Sequence, residues 1–452
     1  MELENKKVLV IGTGISGMGA AKLLCSKGAI PVFYDENEKI KAEEVKGKMP
    51  EGVSGEVFIG SLPESIKEEA ALAVPSPGVP VDTEFMEGLR KRGIPVWGEL
   101  ELGYRYAKGR LAAITGTNGK TTTTTLVGQM MKEYYPSVFV VGNIGNPYTE
   151  AALEMGEESI TVAEVSSFQL ETTETFRPHV SAILNITPDH LNRHHTMENY
   201  VAVKERIAGN QTKEDVCVLN YEDGYTREFG KRCSARVVFF SSKRKLEEGL
   251  YLEGDEIWMA EGGKKTRLMN IHKDMNLVGM CNVENVMAAI AIAFHMGLPM
   301  ETILDTVKRF RAVEHRIEFV ATKNGVDYYN DSKGTNPDAA IQGIRAMSKP
   351  TILIGGGYDK QSEYDEWIEA FEDKVKCLVL IGQTAEKIEA CARRHGVDNI
   401  VRADSFEEAL KICTETAESG DAVLLSPACA SWGMFPNYEV RGNMFKDYVN
   451  GL

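Results

Sequence analysis

Short runs of apolar and β-branched residues recur along the chain, and most are followed by residues with helical periodicity. Such runs include KVLVIG, PVFYD, LAAITG, SITVAEV, VSAILNIT, DVCVLN, PTILIGG, CLVLIG and AVLLSP. Most end in Gly, Asn, Thr or Ser, which are common where a strand gives way to a loop and a helix. Continuous apolar strands are typical of parallel sheets buried on both faces. The pattern predicts an α/β protein built from parallel βαβ units.

The strand-and-helix pattern restarts twice, which predicts three domains. A new strand opens near Leu111 into the most glycine-rich loop, and another begins near Val313 in the segment EHRIEFV. A length of 452 residues agrees with three domains, since a domain has about 150 residues. The charged, glycine-dotted stretch from Lys243 to Arg267 predicts a surface hairpin in the middle domain. The predicted domains are 1–98, 99–312 and 313–452.

The charge balance argues against one large class of partner. Lys and Arg number 51 and Asp and Glu number 66, which gives a formal net charge of −15. An acidic chain without a basic stripe repels polyanions, so we expect no nucleic-acid partner. Small phosphorylated ligands remain compatible, because loops bind them independently of net charge.

Apolar runs and cysteines indicate the compartment. The longest apolar run, Val286–Phe294, suits a core helix and is too short to span a bilayer. The first residues, MELENKKVLVIG, contain no apolar signal region. The eight cysteines form no CxxC pair, so the spacing indicates neither a zinc knuckle nor a redox motif. We expect a cytoplasmic protein with no membrane span and free thiols.

The first glycine loop joins a predicted strand to a predicted helix. Strand VLVIG continues into GTGISG, residues 12–17, and then into MGAAKLL. In a G-x-G-x-x-G loop the glycines permit a tight turn and let a phosphate approach the helix N-terminus. Asp35 ends the next strand, where a dinucleotide-binding domain places its ribose-binding acid. The motif favours a nucleotide site, and the alternative is a turn that only packs helix on strand.

The second glycine loop carries stronger phosphate chemistry. Strand LAAIT leads into GTNGKTT, residues 116–122, which is similar to a P-loop but has Ile114 where the standard spacing needs glycine. Backbone N–H groups can still surround phosphates, Lys120 can neutralise their charge, and the Thr121 hydroxyl can reach Mg²⁺. The alternative is a threonine-rich helix cap. The loop therefore predicts a nucleoside triphosphate site.

Downstream residues supply candidates for the metal and leave alternatives open. Glu164 ends an apolar strand as a metal-binding acid would, although an exposed glutamate at a sheet edge fits equally. His190 follows Asp189 in the segment ITPDH, and a lone histidine is more often structural than a ligand. His194 and His195 read as solvated loop residues. Lys204, from its residue type alone, reads as a solvent-facing lysine on a helix.

Three loops after strands of the third domain carry hydroxyls, lysines and backbone donors. They are NDSKGTN, residues 330–336, before Pro337; YDK, residues 358–360; and ACASW, residues 428–432. Ligands in open α/β sheets bind at the carboxyl ends of the strands. This chemistry suits a small anion such as an amino-acid carboxylate, and simple loop capping is the alternative.

Taken together, several segments resemble the Mur ligases of peptidoglycan synthesis. The segments are TGTNGKTT, ITPDH, EHRIE, NDSKGTNPDAA and SPACASWGMFPNYEVRG. The resemblance spans essentially the whole chain and is greatest to the member that adds D-glutamate. It implies a Rossmann-like N-terminal domain for a UDP-sugar, a central P-loop-type ATPase domain and a Rossmann-like C-terminal domain for the amino acid. It also implies UDP-N-acetylmuramoyl-L-alanine, D-glutamate and ATP as substrates, two Mg²⁺ ions and a monomeric enzyme.

The resemblance also implies roles for individual residues. It assigns catalysis to Lys120, His190 and Lys204, with Lys204 carbamylated. The metal positions are Thr121, Glu164, His190 and Lys204. The ATP positions are Gly116, Thr117, Asn118, Gly119, Lys120, Thr121, Thr122, Asn282, Asn285, His315, Arg316 and Asp331. The UDP-sugar positions are Gly14, Ile15, Ser16, Gly17, Asp35 and Asn143. The amino-acid positions are Thr335, Lys360, Ser431, Trp432 and Tyr438.

Other functions remain open at this point. An NAD-dependent dehydrogenase would use the first glycine loop and leave TGTNGKTT unexplained. A GTPase-like switch protein would require a guanine-reading motif such as NKxD, which is absent downstream. Another Mur ligase, or a ligase resembling folylpolyglutamate synthase, would share the chemistry and use a different amino acid.

Overall fold

The computed structural model describes residues 2–452. The chain divides into two compact units: Met1–Met269 with Val286–Thr306, and Asn270–Asn285 with Val307–Leu452. The strands of the described residues form three sheets, two with most of their strands in the first unit and one in the second. No helix among residues 2–452 combines the length and apolar character that crossing a membrane requires.

The N-terminal sheet is parallel and has the strand order β3-β2-β1-β4. Its strands are β1 (Lys7–Ile11), β2 (Ile30–Asp35), β3 (Glu56–Ile59) and β4 (Ala70–Pro75). Its helices are α1 (Ile15–Ser26), α2 (Ala42–Gly47), α3 (Glu64–Glu69) and α4 (Glu84–Lys91). Because β1 is central, with β2 on one side and β4 on the other, its carboxyl end is a topological switch point. The first glycine loop starts there.

The central sheet has the strand order β13-β12-β11-β10-β9-β8-β5-β7-β6. Its strands are β5 (Arg110–Thr115), β6 (Val138–Gly142), β7 (Ile160–Glu164), β8 (Val180–Ile183), β9 (Val216–Asn220), β10 (Arg236–Ser241), β11 (Gly249–Glu253), β12 (Glu256–Glu261) and β13 (Lys264–Asn270). The helices that follow are α5 (Glu99–Tyr106), α6 (Lys120–Tyr134), α7 (Tyr148–Ala151), α8 (Ser167–Leu170), α9 (Leu191–His194), α10 (Met197–Glu205), α11 (Gly224–Gly230), α12 (Met280–His295) and α13 (Met300–Arg309).

Parallel pairing from β6 to β10 brings the loops after β5, β7 and β8 to one edge of the central sheet. Interior strands such as β7 are wholly buried, as their apolar sequences predict. The predicted hairpin at Lys243–Arg267 is confirmed in β11 and β12, which are antiparallel. A third strand, β13, follows this hairpin and extends the sheet beyond the predicted stretch, to Asn270.

The sheet of the second unit has the strand order β14-β15-β19-β16-β17-β18. Its strands are β14 (Glu318–Lys323), β15 (Val326–Asn330), β16 (Thr351–Gly356), β17 (Val375–Ile381), β18 (Ile400–Arg402) and β19 (Ala422–Leu425). Its helices are α14 (Pro337–Ala346), α15 (Asp365–Glu369), α16 (Ala385–Arg394), α17 (Phe406–Thr416) and α18 (Tyr438–Gly451). Apart from the β14–β15 hairpin, the pairing is parallel.

One predicted strand start is wrong. The segment EHRIEFV was expected to be extended throughout, but β14 begins only at Glu318. His315 and Ile317 have φ of +66° and +44°, values that a strand does not permit. The residues before β14 therefore form a turn, and this turn places the His315 and Arg316 side chains.

Candidate functional site

The loop after β5 is held by a neighbouring loop of the central sheet. Thr117 N donates to the Asn185 carbonyl at 2.9 Å, and Asn118 N donates to Asn185 Oδ1 at 2.8 Å. Gly119 has φ of +84°, which suits glycine, and it immediately precedes α6. No described side chain caps the N-terminus of α6, so its first N–H groups are available to an anion. The geometry is that of a phosphate loop.

Two lysine side chains converge on one carbonyl oxygen of this loop. Lys120 Nζ donates to the Gly116 carbonyl at 2.8 Å and to the Thr117 carbonyl at 2.9 Å. Lys204 Nζ donates to the same Gly116 carbonyl at 2.9 Å, although the two lysines are far apart in the sequence. Two cations so close together are stable only with an anion nearby or with one amine neutral.

Lys204 lies on α10 and is buried, with only 1% of its surface exposed. The interpretation of Lys204 as a solvent-facing lysine is therefore wrong, because α10 turns this face toward the phosphate loop. Its Nζ also lies 4.7 Å from the centre of the Tyr200 ring. Burial first, and the charge of Lys120 second, lower the pKa of Lys204 well below its ordinary value.

Glu164 ends β7 between two parallel neighbours and is 2% exposed. The alternative of an exposed glutamate at a sheet edge is therefore wrong. Asn143 Nδ2 donates to Glu164 Oε1 at 2.7 Å. Glu164 Oε2 is buried and has no hydrogen-bond partner among the described residues. A carboxylate oxygen in this state fits a divalent cation such as Mg²⁺.

The histidines after β8 have different environments. His190 is half exposed; its Nε2 lies 3.4 Å from Asp189 Oδ2 and its ring packs on Phe168 at 4.8 Å. His194 is 4% exposed and its Nε2 is 2.9 Å from Ser167 Oγ, so its interpretation as a solvated residue is wrong. Burial lowers the pKa of His194 to about 4, which makes it a neutral part of the core. His195 is exposed, as expected.

In the N-terminal sheet, Asp35 holds the first glycine loop from the end of β2. Its Oδ2 accepts hydrogen bonds from Thr13 N at 3.0 Å and Thr13 Oγ1 at 2.8 Å. Gly14 and Ile15 are exposed at the start of α1, whereas Gly17 is packed so tightly that a Cβ would lie 2.1 Å from the Gly12 carbonyl oxygen. The loop therefore leaves the first turn of α1, which includes Ser16, open to a ligand.

The buried carboxyl of Asp331 lies in the second unit, after β15. Ser426 Oγ donates to Asp331 Oδ2 at 2.7 Å, and Ile317 N donates to Oδ1 at 3.3 Å. Burial raises the pKa of Asp331 to about 7, against which the Ser426 hydrogen bond and the charge of Arg316 act. Arg316 Nε is buried without a hydrogen-bond partner among the described residues. The turn before β14 and the loop after β15 thus hold opposite charges side by side.

The other nucleotide candidates of this unit are also buried. His315 Nδ1 accepts from Asn330 Nδ2 at 2.9 Å, and burial lowers the pKa of His315. Asn285 Nδ2 donates to Asn282 Oδ1 at 3.1 Å near the start of α12. This contact joins residues three apart on one helix, and the assignment of Asn282 and Asn285 to ATP stays a prediction.

Arg441 of α18 ties two of the predicted amino-acid loops together. It is fully buried; its Nε donates to Ser332 Oγ at 2.9 Å and its Nη2 donates to the Ser332 carbonyl at 2.7 Å. Longer hydrogen bonds of 3.4 Å reach the Cys429 carbonyl. Sequence reasoning missed this residue, because an arginine in a helix normally reads as exposed.

The remaining amino-acid candidates lie around the same strand ends. Lys360 Nζ lies 5.4 Å from the centre of the Trp432 ring, and the Trp432 ring contacts that of Tyr358 at 5.6 Å. Trp432 is 55% exposed and Ser431 is buried. Thr335 and Tyr438 belong to the 330–336 loop and the start of α18, and Ser332 Oγ donates to the Tyr438 carbonyl at 2.8 Å. An exposed lysine and aromatic pair beside backbone loops suits a small anionic ligand.

Comparison with known proteins decides the family. The descriptions "Mur ligase MurD-like, N-terminal domain", "Mur ligase middle domain" and "Mur ligase, glutamate ligase domain" match residues 6–98, 114–293 and 315–429. The chain is 58% identical over 452 residues to the UDP-N-acetylmuramoylalanine–D-glutamate ligase of Lachnospira eligens, covering 100% of both chains. The chain belongs to the Mur ligase family. The enzyme of the same name from Clostridioides difficile is 45% identical over 453 residues, again covering 100% of both.

Solved structures of the family share the fold. MurC from Thermotoga maritima has a TM-score of 0.60 and 19% identity, with 99% of each chain covered. MurF from the same organism, in complex with ADP, has a TM-score of 0.61 and 17% identity, covering 100% of this chain and 96% of that one. These likenesses confirm the predicted α/β architecture of three Mur ligase domains. The boundaries 1–98, 99–312 and 313–452 stay predictions.

Proposed function

We propose that this protein is an ATP-dependent ligase that adds D-glutamate to UDP-N-acetylmuramoyl-L-alanine in peptidoglycan precursor synthesis. The observation that carries the proposal is the phosphate loop, in which Lys120 and the buried Lys204 both donate to one carbonyl oxygen. The chain is also a Mur ligase, and relatives named UDP-N-acetylmuramoylalanine–D-glutamate ligase are 45–58% identical to it. We further propose that it works as a monomer in the cytoplasm.

The chemistry explains why ATP is needed. An amine cannot displace oxide from a carboxylate, so the substrate carboxylate oxygen first attacks the γ-phosphorus of ATP and the bond to ADP breaks. The amine nitrogen of D-glutamate then attacks the carbonyl carbon of the acyl phosphate. The tetrahedral intermediate expels phosphate and loses a proton, which leaves an amide. Lys120 and the N-terminus of α6 offset the phosphate charge during transfer.

Magnesium fits the donors of this site. Glu164 supplies a buried carboxylate oxygen without a partner among the described residues, and Thr121 supplies a hydroxyl at the start of α6. With His190 and a carbamylated Lys204, these residues would hold two Mg²⁺ ions, which neutralise charge on the phosphates when bound. Glu164 and the neighbouring Asn143 also keep the loop after β6 in place.

The position of Lys204 supports the proposal that it is carbamylated. A buried amine beside Lys120 is disfavoured as a cation, and a neutral amine can attack CO2: the N–C bond forms, a C–O π bond breaks and nitrogen loses a proton. The resulting carboxylate would sit beside the Lys120 ammonium, so repulsion becomes attraction. It would also supply an anionic oxygen ligand for Mg²⁺.

The remaining residues bind the other ligands in this proposal. Gly14, Ile15, Ser16, Gly17, Asp35 and Asn143 lie on the UDP-sugar side. Gly116, Thr117, Asn118, Gly119, Thr122, Asn282, Asn285, His315, Arg316 and Asp331 bind ATP. Thr335, Lys360, Ser431, Trp432 and Tyr438 bind D-glutamate. The support is their placement at strand ends and helix N-termini in their own units.

The role of Lys120 is tested with a matched pair of variants on α6. Lys120→Ala should lower ATP- and Mg²⁺-dependent phosphate release by about 1,000-fold, because one transition-state charge contact is lost. Lys132→Ala, exposed on the same helix, should retain normal turnover. Hydroxylamine added without D-glutamate should trap the acyl phosphate as a hydroxamate. Near-normal turnover in Lys120→Ala, or an absent hydroxamate, would contradict the mechanism.

A further inference from the structure

A cluster of thiol, imidazole and carboxylate groups lies on α15 and α16, apart from the strand-end loops described above. Cys391 lies in the last turn of α16, His395 is the residue that directly follows this helix, and Asp365 begins α15. One potential ligand atom from each of the three residues lies within 4.8 Å of the other two. The His395 N–H donates to the Cys391 carbonyl at 3.3 Å, so the helical turn continues as far as His395 and places both side chains on the same side.

The contacts around His395 distinguish its two ring nitrogens. Nε2 lies 2.9 Å from Asp365 Oδ1, inside the cluster, while Nδ1 lies 3.8 Å from Glu369 Oε1, one turn further along α15. Histidine ligands of metals almost always donate their other N–H to a carboxylate, which fixes the tautomer. Glu369 Oε1 lies beyond hydrogen-bond distance at 3.8 Å, and a shift of about 1 Å would let it accept that hydrogen bond.

The Cys391 thiol completes the donor set. Its residue is 3% exposed, and its ligand atom lies within 4.8 Å of the Asp365 carboxylate. If Asp365 and His395 served only to hold α15 and α16 together, their ion pair would suffice, and no thiol would be needed beside it. Arg394 Nη2, 3.4 Å from Asp365 Oδ1, is a competing cation that would have to turn toward solvent.

We propose that Cys391 Sγ, His395 Nε2 and Asp365 Oδ1 bind a zinc ion, with water as the fourth ligand and Glu369 as the partner of His395 Nδ1. Sulfur, nitrogen and oxygen ligands in tetrahedral geometry are the set that Zn²⁺ prefers. Ligand atoms in such a site are about 3.3–3.8 Å apart. On binding, His395 Nε2 and Asp365 Oδ1 would therefore separate from 2.9 Å, and the widest pair in the cluster, within 4.8 Å, would close by up to about 1 Å. The thiol loses its proton to solvent. This site is independent of the ligase reaction.

The thiolate ligand has a spectroscopic signature. The full-length protein, stripped of metal with a chelator, is titrated with Co²⁺ while absorption is recorded. Thiolate coordination should give a near-ultraviolet charge-transfer band, which the oxygen and nitrogen ligands of the Mg²⁺ site cannot produce. Cys391→Ser should abolish the band, whereas Cys25→Ser, at a partly exposed cysteine of α1, should retain it. A missing band in the unaltered protein, or an unchanged band in Cys391→Ser, overturns the proposal.

Zinc affinity, measured by competition with a chromophoric chelator, tests the other residues of the proposed zinc site. His395→Ala and Asp365→Asn should weaken binding by about 100-fold and Glu369→Gln by about 10-fold. The control is Glu363→Gln, whose side chain is 83% exposed near the same helix. Asp365→Asn alters a partly exposed side chain, so it carries the test if Cys391→Ser fails to fold. Unchanged affinity in Asp365→Asn and His395→Ala would make the cluster an ion pair only.

Discussion

At the scale of single residues, each unit contains charged side chains that are buried. Lys204 approaches Lys120 across the phosphate loop, and Asp331 lies with Arg316 and Arg441 in the second unit. Lys204, Asp331 and Arg441 are taken out of water at a free-energy cost, which is offset only by a partner, a change of protonation or a ligand. Such residues are candidates for function because their burial needs a chemical explanation.

The proposed carbamate on Lys204 can be tested by chemical rescue. Lys204→Ala should reduce turnover by about 100-fold or more, because an anionic group beside Lys120 is lost. Formate or acetate, which place a carboxylate in the vacated space, should restore part of the activity. Propylamine, which restores only a cation, is the control and should not. Rescue by the amine and not by the acids would show that the working form of Lys204 is an ammonium.

The carboxyl of Asp331 should give the protein's stability a recognisable pH dependence. Its pKa rises from 3.8 to about 7 on folding. Between these values the folded state holds a proton that the unfolded state has lost, so stability falls as pH rises from about 4 to about 7. The full effect has an upper limit of about 4 kcal/mol. Asp331→Asn should remove this part of the slope of melting temperature against pH.

The control for that measurement is Asp373→Asn, at an exposed position of the same unit. It should leave the pH dependence unchanged. An Asp331→Asn variant that loses stability with rising pH as steeply as the unaltered protein would show that Asp331 is not the responsible group.

At the scale of elements, we expect two glycines at the junction of β1 and α1 to have different roles, Gly17 in folding and Gly14 in binding. A Cβ at Gly17 would lie 2.1 Å from the Gly12 carbonyl oxygen, whereas one at Gly14 would meet nothing within 4 Å. Gly17→Ala should therefore destabilise the protein by about 3 kcal/mol, despite the better helix propensity of alanine. Gly14→Ala should melt normally and raise the KM for the UDP-sugar, because its Cβ would occupy space that we propose for the phosphate. Equal effects of the two variants would contradict this division.

Much at this scale was predictable from local sequence. Asp35 ends β2, Pro337 begins α14, and the glycine loops join strands to helices, because apolar runs and turn residues specify these features locally. The turn at 315–317 was missed because non-glycine residues adopt positive φ there under tertiary contacts. The burial of Lys204, His194 and Arg441 depends on elements distant in sequence, and no local pattern reports it.

At the scale of the whole molecule, the pattern of apolar runs and helical periodicity correctly indicated an α/β protein, and motifs indicated the family that the comparisons confirm. Residue types alone left the amino acid open, since hydroxyls, lysines and backbone donors suit many small anions. The resemblance to one branch of the family supplied D-glutamate, and relatives at 45–58% identity carry that substrate in their names. The central claim therefore concerns which amino acid this chain ligates.

The most direct test is phosphate release from ATP and Mg²⁺ with UDP-N-acetylmuramoyl-L-alanine and one amino acid at a time. The amino acids are D-glutamate, L-glutamate, L-lysine and meso-diaminopimelate, and mass spectrometry of the product confirms the amide. We expect release that requires both the UDP-sugar and D-glutamate. Release with a different amino acid would move the chain to another activity of the family, and no release with any pair would contradict the ligase assignment.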